Sequence, residues 1–168
     1  MNLETGRLIL DTWQVTDWTA LRPIATDPEV MRYITGGVPW TDEQIQTFVD
    51  RQMKLYCERG FCLWKLLAKP DGETIGFCGV GFMHAAQDPE LGWWLARPYW
   101  GRGLATEAAR AALEDAFERA GLYRIVSIAM PANRVSIRIM QKLGLTFECE
   151  FESEGVRLVR YAIERRVA

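Results

Sequence analysis

Residues 90–121 constrain this chain more than any other stretch. Glu90-Leu-Gly-Trp-Trp-Leu-Ala is an apolar, aromatic run of strand length that ends at Arg97-Pro98. Proline lacks an N–H and biases its predecessor away from helix, so regular pairing stops there. Gly101 and Gly103 follow, two apart, where main chain can turn sharply and approach a ligand. From Thr106 to Ala120 the chain is alanine-rich. Ala105, Ala109, Ala112, Leu113, Ala116, Phe117 and Ala120 share one helical stripe, and Gly121 stands where the helix stops. Strand, glycine turn and helix together point N–H groups and a positive helix end at an anion. The reading is a turn that holds a phosphate-bearing cofactor.

The rest of the chain narrows the alternatives. A length of 168 residues suits one domain over residues 1–168, able to bury a substantial core without cross-links. A net charge of −2 gives no reason to expect a nucleic-acid or membrane-surface partner. No apolar run reaches spanning length, and the first residues lack the apolar core of a signal peptide. Cys57, Cys62, Cys78 and Cys149 show no C-x-x-C spacing and His84 is the sole histidine, so neither a metal nor a disulfide framework is expected. A reducing, cytoplasmic setting fits.

Taken in order, Arg7–Trp13 reads as a first strand, with Thr16 or Asp17 capping a helix that carries Trp18, Leu21, Ile24 and Ala25. Asp27-Pro28 opens a short turn, Gly36-Gly37 with Pro39 is loop, and Thr41-Asp-Glu starts a longer helix. The first sixty residues thus read as one strand followed by helices. Phe61–Ala68, Thr74–Met83 and Glu90–Ala96 form an antiparallel meander, with Gly76, Gly79 and Gly81 marking bulges or close backbone approach and Ala85–Pro89 a loop. Tyr123–Met130 is a strand and Asn133 caps the next helix. Leu145–Phe151 and a strand near Arg157–Ile163 close the chain, with edges suited to a homodimer.

A glycine turn before a helix serves several cofactor classes. The dinucleotide pattern needs a third glycine and a carboxylate at the end of the next strand; both are missing here, as is the Gly-Lys-Ser/Thr of a P-loop. What remains is Trp100-Gly-Arg-Gly-Leu-Ala, followed by Asn133-x-x-Ser136 and Lys142-Leu-Gly-Leu. With Thr5-Gly-Arg-Leu-Ile-Leu, Asp27-Pro-Glu-Val-Met-Arg-Tyr and Glu90-Leu-Gly-Trp-Trp-Leu, these motifs resemble, almost end to end, the GNAT superfamily of N-acetyltransferases. The likeness is to its Rim-type branch of ribosomal-protein N-terminal and related enzymes.

That resemblance implies an α+β fold, with a mixed, mostly antiparallel central sheet splayed at the cofactor strand and flanked by helices. It implies acetyl-CoA as co-substrate, with the pyrophosphate on the amides of Arg102, Gly103, Leu104, Ala105 and Thr106. The pantetheine would pair with the backbone of Trp94, Leu95 and Ala96, Asn133 would bond the cofactor, and Gly92 would be a bulge. The reaction would be direct attack of a primary amine on the thioester. The acceptor would be a protein or peptide N-terminus, or a small amine; a non-catalytic acyl-CoA-binding module or sensor is the alternative. Holding the reactants supplies roughly 7–11 kcal/mol and a positioned base about 10²–10⁴-fold, so positioning dominates. Glu90 is the base by resemblance. Met140 stands where many members carry an acidic tyrosine, which leaves Ser136, a water, or departure of the unprotonated thiolate. Beside these, His84 reads as solvated, Trp13, Tyr33, Trp40 and Trp93 as core packing before cleft lining, and Glu148, Glu150, Glu152 and Glu154 as a solvated sheet face before an acidic patch that draws a cationic peptide or polyamine.

Overall fold

The computed structural model describes residues 1–84 and 87–167, so the loop expected over Ala85–Pro89 lies partly outside the described residues, at Ala85 and Ala86. Strands β1 (Asn2–Glu4) and β2 (Leu8–Asp11) open the chain as a hairpin, with Leu3 opposite Leu10. The expected single N-terminal strand is therefore two. Three residues are too few to show a period, and β1 exists because β2 offers it a ladder. Helices α1 (Trp18–Ala25), α2 (Pro28–Met31) and α3 (Asp42–Arg59) follow. Neither Thr16 nor Asp17 caps α1 through its side chain: Val15–Asp17 is a 3-10 turn that runs straight into it. The Asp17 carboxylate instead accepts from the Gln14 N–H at 2.8 Å and from Lys65 Nζ at 2.7 Å. Helix α3 starts as its sequence dictates, in a reciprocal Thr41–Gln44 capping box.

β3 (Leu63–Ala68), β4 (Glu73–Gly81) and β5 (Glu90–Leu95) form the expected antiparallel meander. α4 (Leu104–Glu118) then crosses to β6 (Arg124–Ala129), α5 (Arg134–Lys142) follows, and β7 (Thr146–Ser153) pairs with β8 (Val156–Glu164). Among the described residues the sheet has eight strands in the order β1-β2-β3-β4-β5-β6-β8-β7, antiparallel except between β5 and β6. Helix α4 begins two residues before the expected Thr106, because Gly103, left-handed at φ 74°, already serves as its N-cap.

Each face of the sheet carries its own core. On one, Leu8, Leu10, Trp64, Leu66, Cys78, Leu91 and Leu95 meet the Ala105, Ala108, Ala109, Ala112 and Ala116 stripe of α4. The small side chains let the helix lie close to the strands. On the other, Trp13, Phe48, Phe77 and Trp94 form an aromatic cluster under α1, α2 and α3. Trp40 stacks edge-on against Trp94 at 4.6 Å, and Trp13 Nε1 donates to the Leu63 carbonyl at 2.5 Å. Trp13 and Trp40 thus pack in or on the core, while Tyr33 and Trp93 are half-buried. Glu148 pairs with Arg124 and Arg160, and Glu150 with Arg157, so these two glutamates are neutralised within the sheet.

The expected bulge at Gly92 does not form. The β4–β5 register is unbroken from Gly76–Leu95 to Gly81–Glu90, and a Cβ on Gly92 would meet only the flexible, exposed end of Met83, which can move aside. The irregularity falls one strand away: between Leu66 and Leu67 the β3–β4 register skips Ile75, and Gly76 takes φ 151°. A Cβ on Gly76 would lie 1.9 Å from the Trp94 carbonyl oxygen. Gly76→Ala should therefore destabilise the fold by about 3 kcal/mol. For a chain of this size that lowers Tm by roughly 6–12 °C, checked by thermal melting.

Candidate functional site

The site is built where β5 and β6 part. Their parallel pairing is confined to Glu90 opposite Val126, where the Val126 N–H donates to the Pro89 carbonyl at 2.9 Å. One residue on, the buried Ser127 hydroxyl bridges to the Leu91 carbonyl at 2.8 Å, a side chain spanning a gap the main chain no longer closes. Beyond it, among the described residues, β5 and β6 form no further main-chain pairing, which leaves a slot between their C-terminal halves inside the sheet.

Strand alternation decides which main-chain groups face that slot. The Ala96 N–H donates to Ile75 at 2.8 Å and Trp94 is paired with Phe77, so both residues turn their backbone groups to β4. Of the Trp94–Ala96 stretch only Leu95 turns its N–H to the slot, and Trp93 joins it with both N–H and carbonyl. The Leu95 carbonyl is already taken by the Trp100 indole N–H at 2.8 Å, which ties the following turn to the strand end.

In that turn, Gly101 and Gly103 are both left-handed, at φ 72° and 74°. Among the described residues none of the amides from Gly101 to Thr106 donates to a protein acceptor, and the ladder of α4 begins with the Glu107 N–H on the Gly103 carbonyl at 3.1 Å. A row of unspent N–H groups at the positive end of a 15-residue helix is suited to an anion. Arg7 braces it from the start of β2: Nη1 donates to the Arg102 carbonyl at 2.9 Å and Nε to Glu107 at 2.8 Å. Burial pushes the Glu107 carboxyl up, but hydrogen bonds from Thr5 and Arg7 outweigh it and hold the group below its ordinary value. A carboxylate in the first turn would repel an anion; Arg7 cancels it. Nothing in the local sequence marks this pairing, which spans about a hundred residues. A cavity of about 580 Å³ borders the same turn along the outer flank of α4, lined by Gly103, Thr106, Glu107, Arg110 and Lys142 among others. It adjoins the anion site and lies away from Glu90.

Asn133 follows the C-terminal end of β6, at the slot's other wall. Its Oδ1 caps α5 by accepting the Ser136 N–H at 3.3 Å, which leaves its amide hydrogens to donate elsewhere. Ser136 is half-buried in the first turn, and Met140 is 1% exposed in the core, so its thioether offers the slot no acid.

Glu90 sits at the parting point and is 1% exposed. His84, read from sequence as solvated, folds back onto it: Nδ1 lies 2.9 and 3.0 Å from the two carboxylate oxygens, and the His84 backbone N–H donates to Oε2 at 3.2 Å. The hydrogen bond to Glu90 raises the His84 pKa above its ordinary value; burial opposes it, and the charges of Glu90 and Glu154 add to the rise. The two residues are six apart, joined only by the turn between β4 and β5, so no helix or strand period announces the pair. Among the described residues no cluster of three His, Cys, Asp or Glu side chains comes together as a metal site.

Comparison with known proteins bears on this geometry. Residues 7–146 match the family model described as an acetyltransferase (GNAT) domain. The chain is 30% identical over 152 residues to YnaD, an uncharacterised N-acetyltransferase of Bacillus subtilis, with 90% of this chain and 86% of that protein covered. It is 29% identical over 145 residues to the spermidine N(1)-acetyltransferase of Escherichia coli K12, covering 82% and 72% respectively. A solved ribosomal L7/L12 alpha-N-protein acetyltransferase in complex with coenzyme A superposes with a TM-score of 0.80 over 98% of both chains. At 16% identity that last likeness speaks for the fold alone.

Arg7→Met should weaken coenzyme A binding roughly threefold to tenfold, because it frees the turn and uncovers the Glu107 charge. Adding Glu107→Gln to that variant should restore part of the loss, read by calorimetric titration.

Proposed function

This chain belongs to the GNAT family of acetyl-CoA-dependent N-acetyltransferases, and we propose that it passes the acetyl group directly to a primary amine held at the mouth of the β5–β6 slot, small cationic amines being the favoured class. The observation that carries the reading is the meeting of two unspent main-chain arrays, the 101–106 amides and the Trp93–Leu95 edge. The first suits a diphosphate. The second suits an amide-bearing arm that completes the ladder as an added strand. Residues assigned to the co-substrate are Arg102, Gly103, Leu104, Ala105 and Thr106 through their amides, Trp93 and Leu95 through the strand edge, and Asn133 through its side-chain amide.

With the diphosphate at the turn, the arm runs back along β5 and brings the thioester toward Glu90. The Trp93 N–H is then the donor for the oxyanion. The acceptor's ammonium must lose a proton before its nitrogen can attack, and that proton is drawn to the Glu90–His84 pair. At pH 7 the deprotonation costs about 1.4 kcal/mol for an α-amine of pKa about 8, and about 4.6 kcal/mol for a lysine-like amine. Attack on the carbonyl carbon breaks the C–S bond, and Ser136 is the hydroxyl assigned to the departing sulfur. The preference for a small cationic acceptor is supported by the activity named for the E. coli relative.

Acetyl-CoA with a panel of polyamines, amino acids and N-terminal peptides, followed by free thiol release, tests this. Turnover should be highest with polyamines. Exclusive turnover of peptides would move the acceptor to a protein N-terminus, and saturable coenzyme A binding without turnover would favour an acyl-CoA sensor.

A further inference from the structure

Resting on the acetyltransferase reading, we propose that the His84 imidazole, through Nε2, takes the proton from the acceptor ammonium, and that Glu90 is the positioning residue that holds the ring for this task. Glu90 itself is poorly placed to meet a substrate. It is 1% exposed, and both carboxylate oxygens lie within 3.0 Å of His84 Nδ1, with a third contact from the His84 N–H. His84 is 35% exposed, so the ring reaches solvent where its partner does not. A carboxylate only accepts, so Nδ1 carries the ring hydrogen in the neutral form. Nε2, on the opposite edge, is left with its lone pair. This is the arrangement in which an acid fixes the tautomer and orientation of a histidine base.

Strength of base argues the same way: the hydrogen bond to Glu90 raises the imidazole above its ordinary value, toward the amine it must deprotonate. The charged groups facing the ring among the described residues, Glu90 from β5 and Glu154 from the β7–β8 turn, strengthen it further. The step balances simply. R–NH3⁺ gives one proton to Nε2, leaving R–NH2 and an imidazolium paired with Glu90. The nitrogen lone pair then forms the N–C bond, the C–S bond breaks with its electrons on sulfur, and the nitrogen's second proton ends on the thiol. The imidazolium returns its proton to water.

His84 is the only histidine, so a single imidazole resonance reports on it. NMR titration should give a midpoint above the ordinary 6.5, falling in Glu90→Gln as the main raising contact is lost while burial still lowers it. A midpoint at or below the ordinary value in the unaltered protein would overturn the pair. His84→Gln should lower kcat/KM at pH 7 by about 10²-fold, recover at high pH where the amine deprotonates itself, and leave coenzyme A affinity unchanged. Glu90→Gln should keep measurable turnover, with the acidic limb of its pH–rate profile displaced downward along with the His84 midpoint. If His84→Gln keeps the original rate and profile while Glu90→Gln loses both, the relay is wrong and Glu90 is the base. If no amine is turned over by the unaltered protein, the acetyltransferase reading fails and takes this proposal with it.

Discussion

The single parallel rung between Glu90 and Val126 is the constraint on which the rest depends. Every other strand pair is an antiparallel ladder running for several residues, and such ladders leave no room inside a sheet. Here the ladder is abandoned after one rung, and the last tie is made by a serine hydroxyl. Buried main-chain donors and acceptors must be satisfied, so Trp93 and Leu95 either hold water or accept an extended guest. A sheet ordinarily offers such an edge only at its margin. This one offers it in the middle, between two cores that hold the walls apart.

Those cores explain why the walls stay put. The alanine stripe of α4 presses one face and the Trp13–Phe48–Phe77–Trp94 cluster presses the other, so β5 is clamped on both sides while its third flank stays open. The left-handed Gly103 lets α4 start directly beside the strand end, which carries the helix's unspent amides to the slot. Arg7 answers the one electrostatic flaw, the Glu107 carboxylate in the first turn, by bonding both it and the turn.

Much of this was legible in the chain because it is local. The Thr41–Gln44 box, the meander, the glycine turn and the Asn133 cap all lie within a few residues of their partners, where spacing and residue type suffice. The start of α4 was misread by two residues because Gly103 caps it by conformation and no hydroxyl marks the place. Gly76 and Gly92 both read as bulge sites and only Gly76 is one, since a glycine permits a bulge without requiring it. β1 was missed because three residues are too few to show a period, whereas the Ser127 bridge and the Arg7–Glu107 brace were invisible because each is defined by a partner far along the chain. His84 read as solvated because a lone histidine at a strand end carries no pattern; only the tertiary fold sets it on Glu90.

The Glu90 carboxylate sits on the very residue where the sheet comes apart, so the opening of the slot and the placement of the Glu90–His84 pair are set by one and the same backbone position. Donor-side geometry is therefore rigidly inherited from the β-framework. The segment around residues 27–43 and the turn that joins β7 to β8 lie outside that framework and are free to diversify. A scaffold divided in this way can exchange the amines it greets without rebuilding the machinery that activates them.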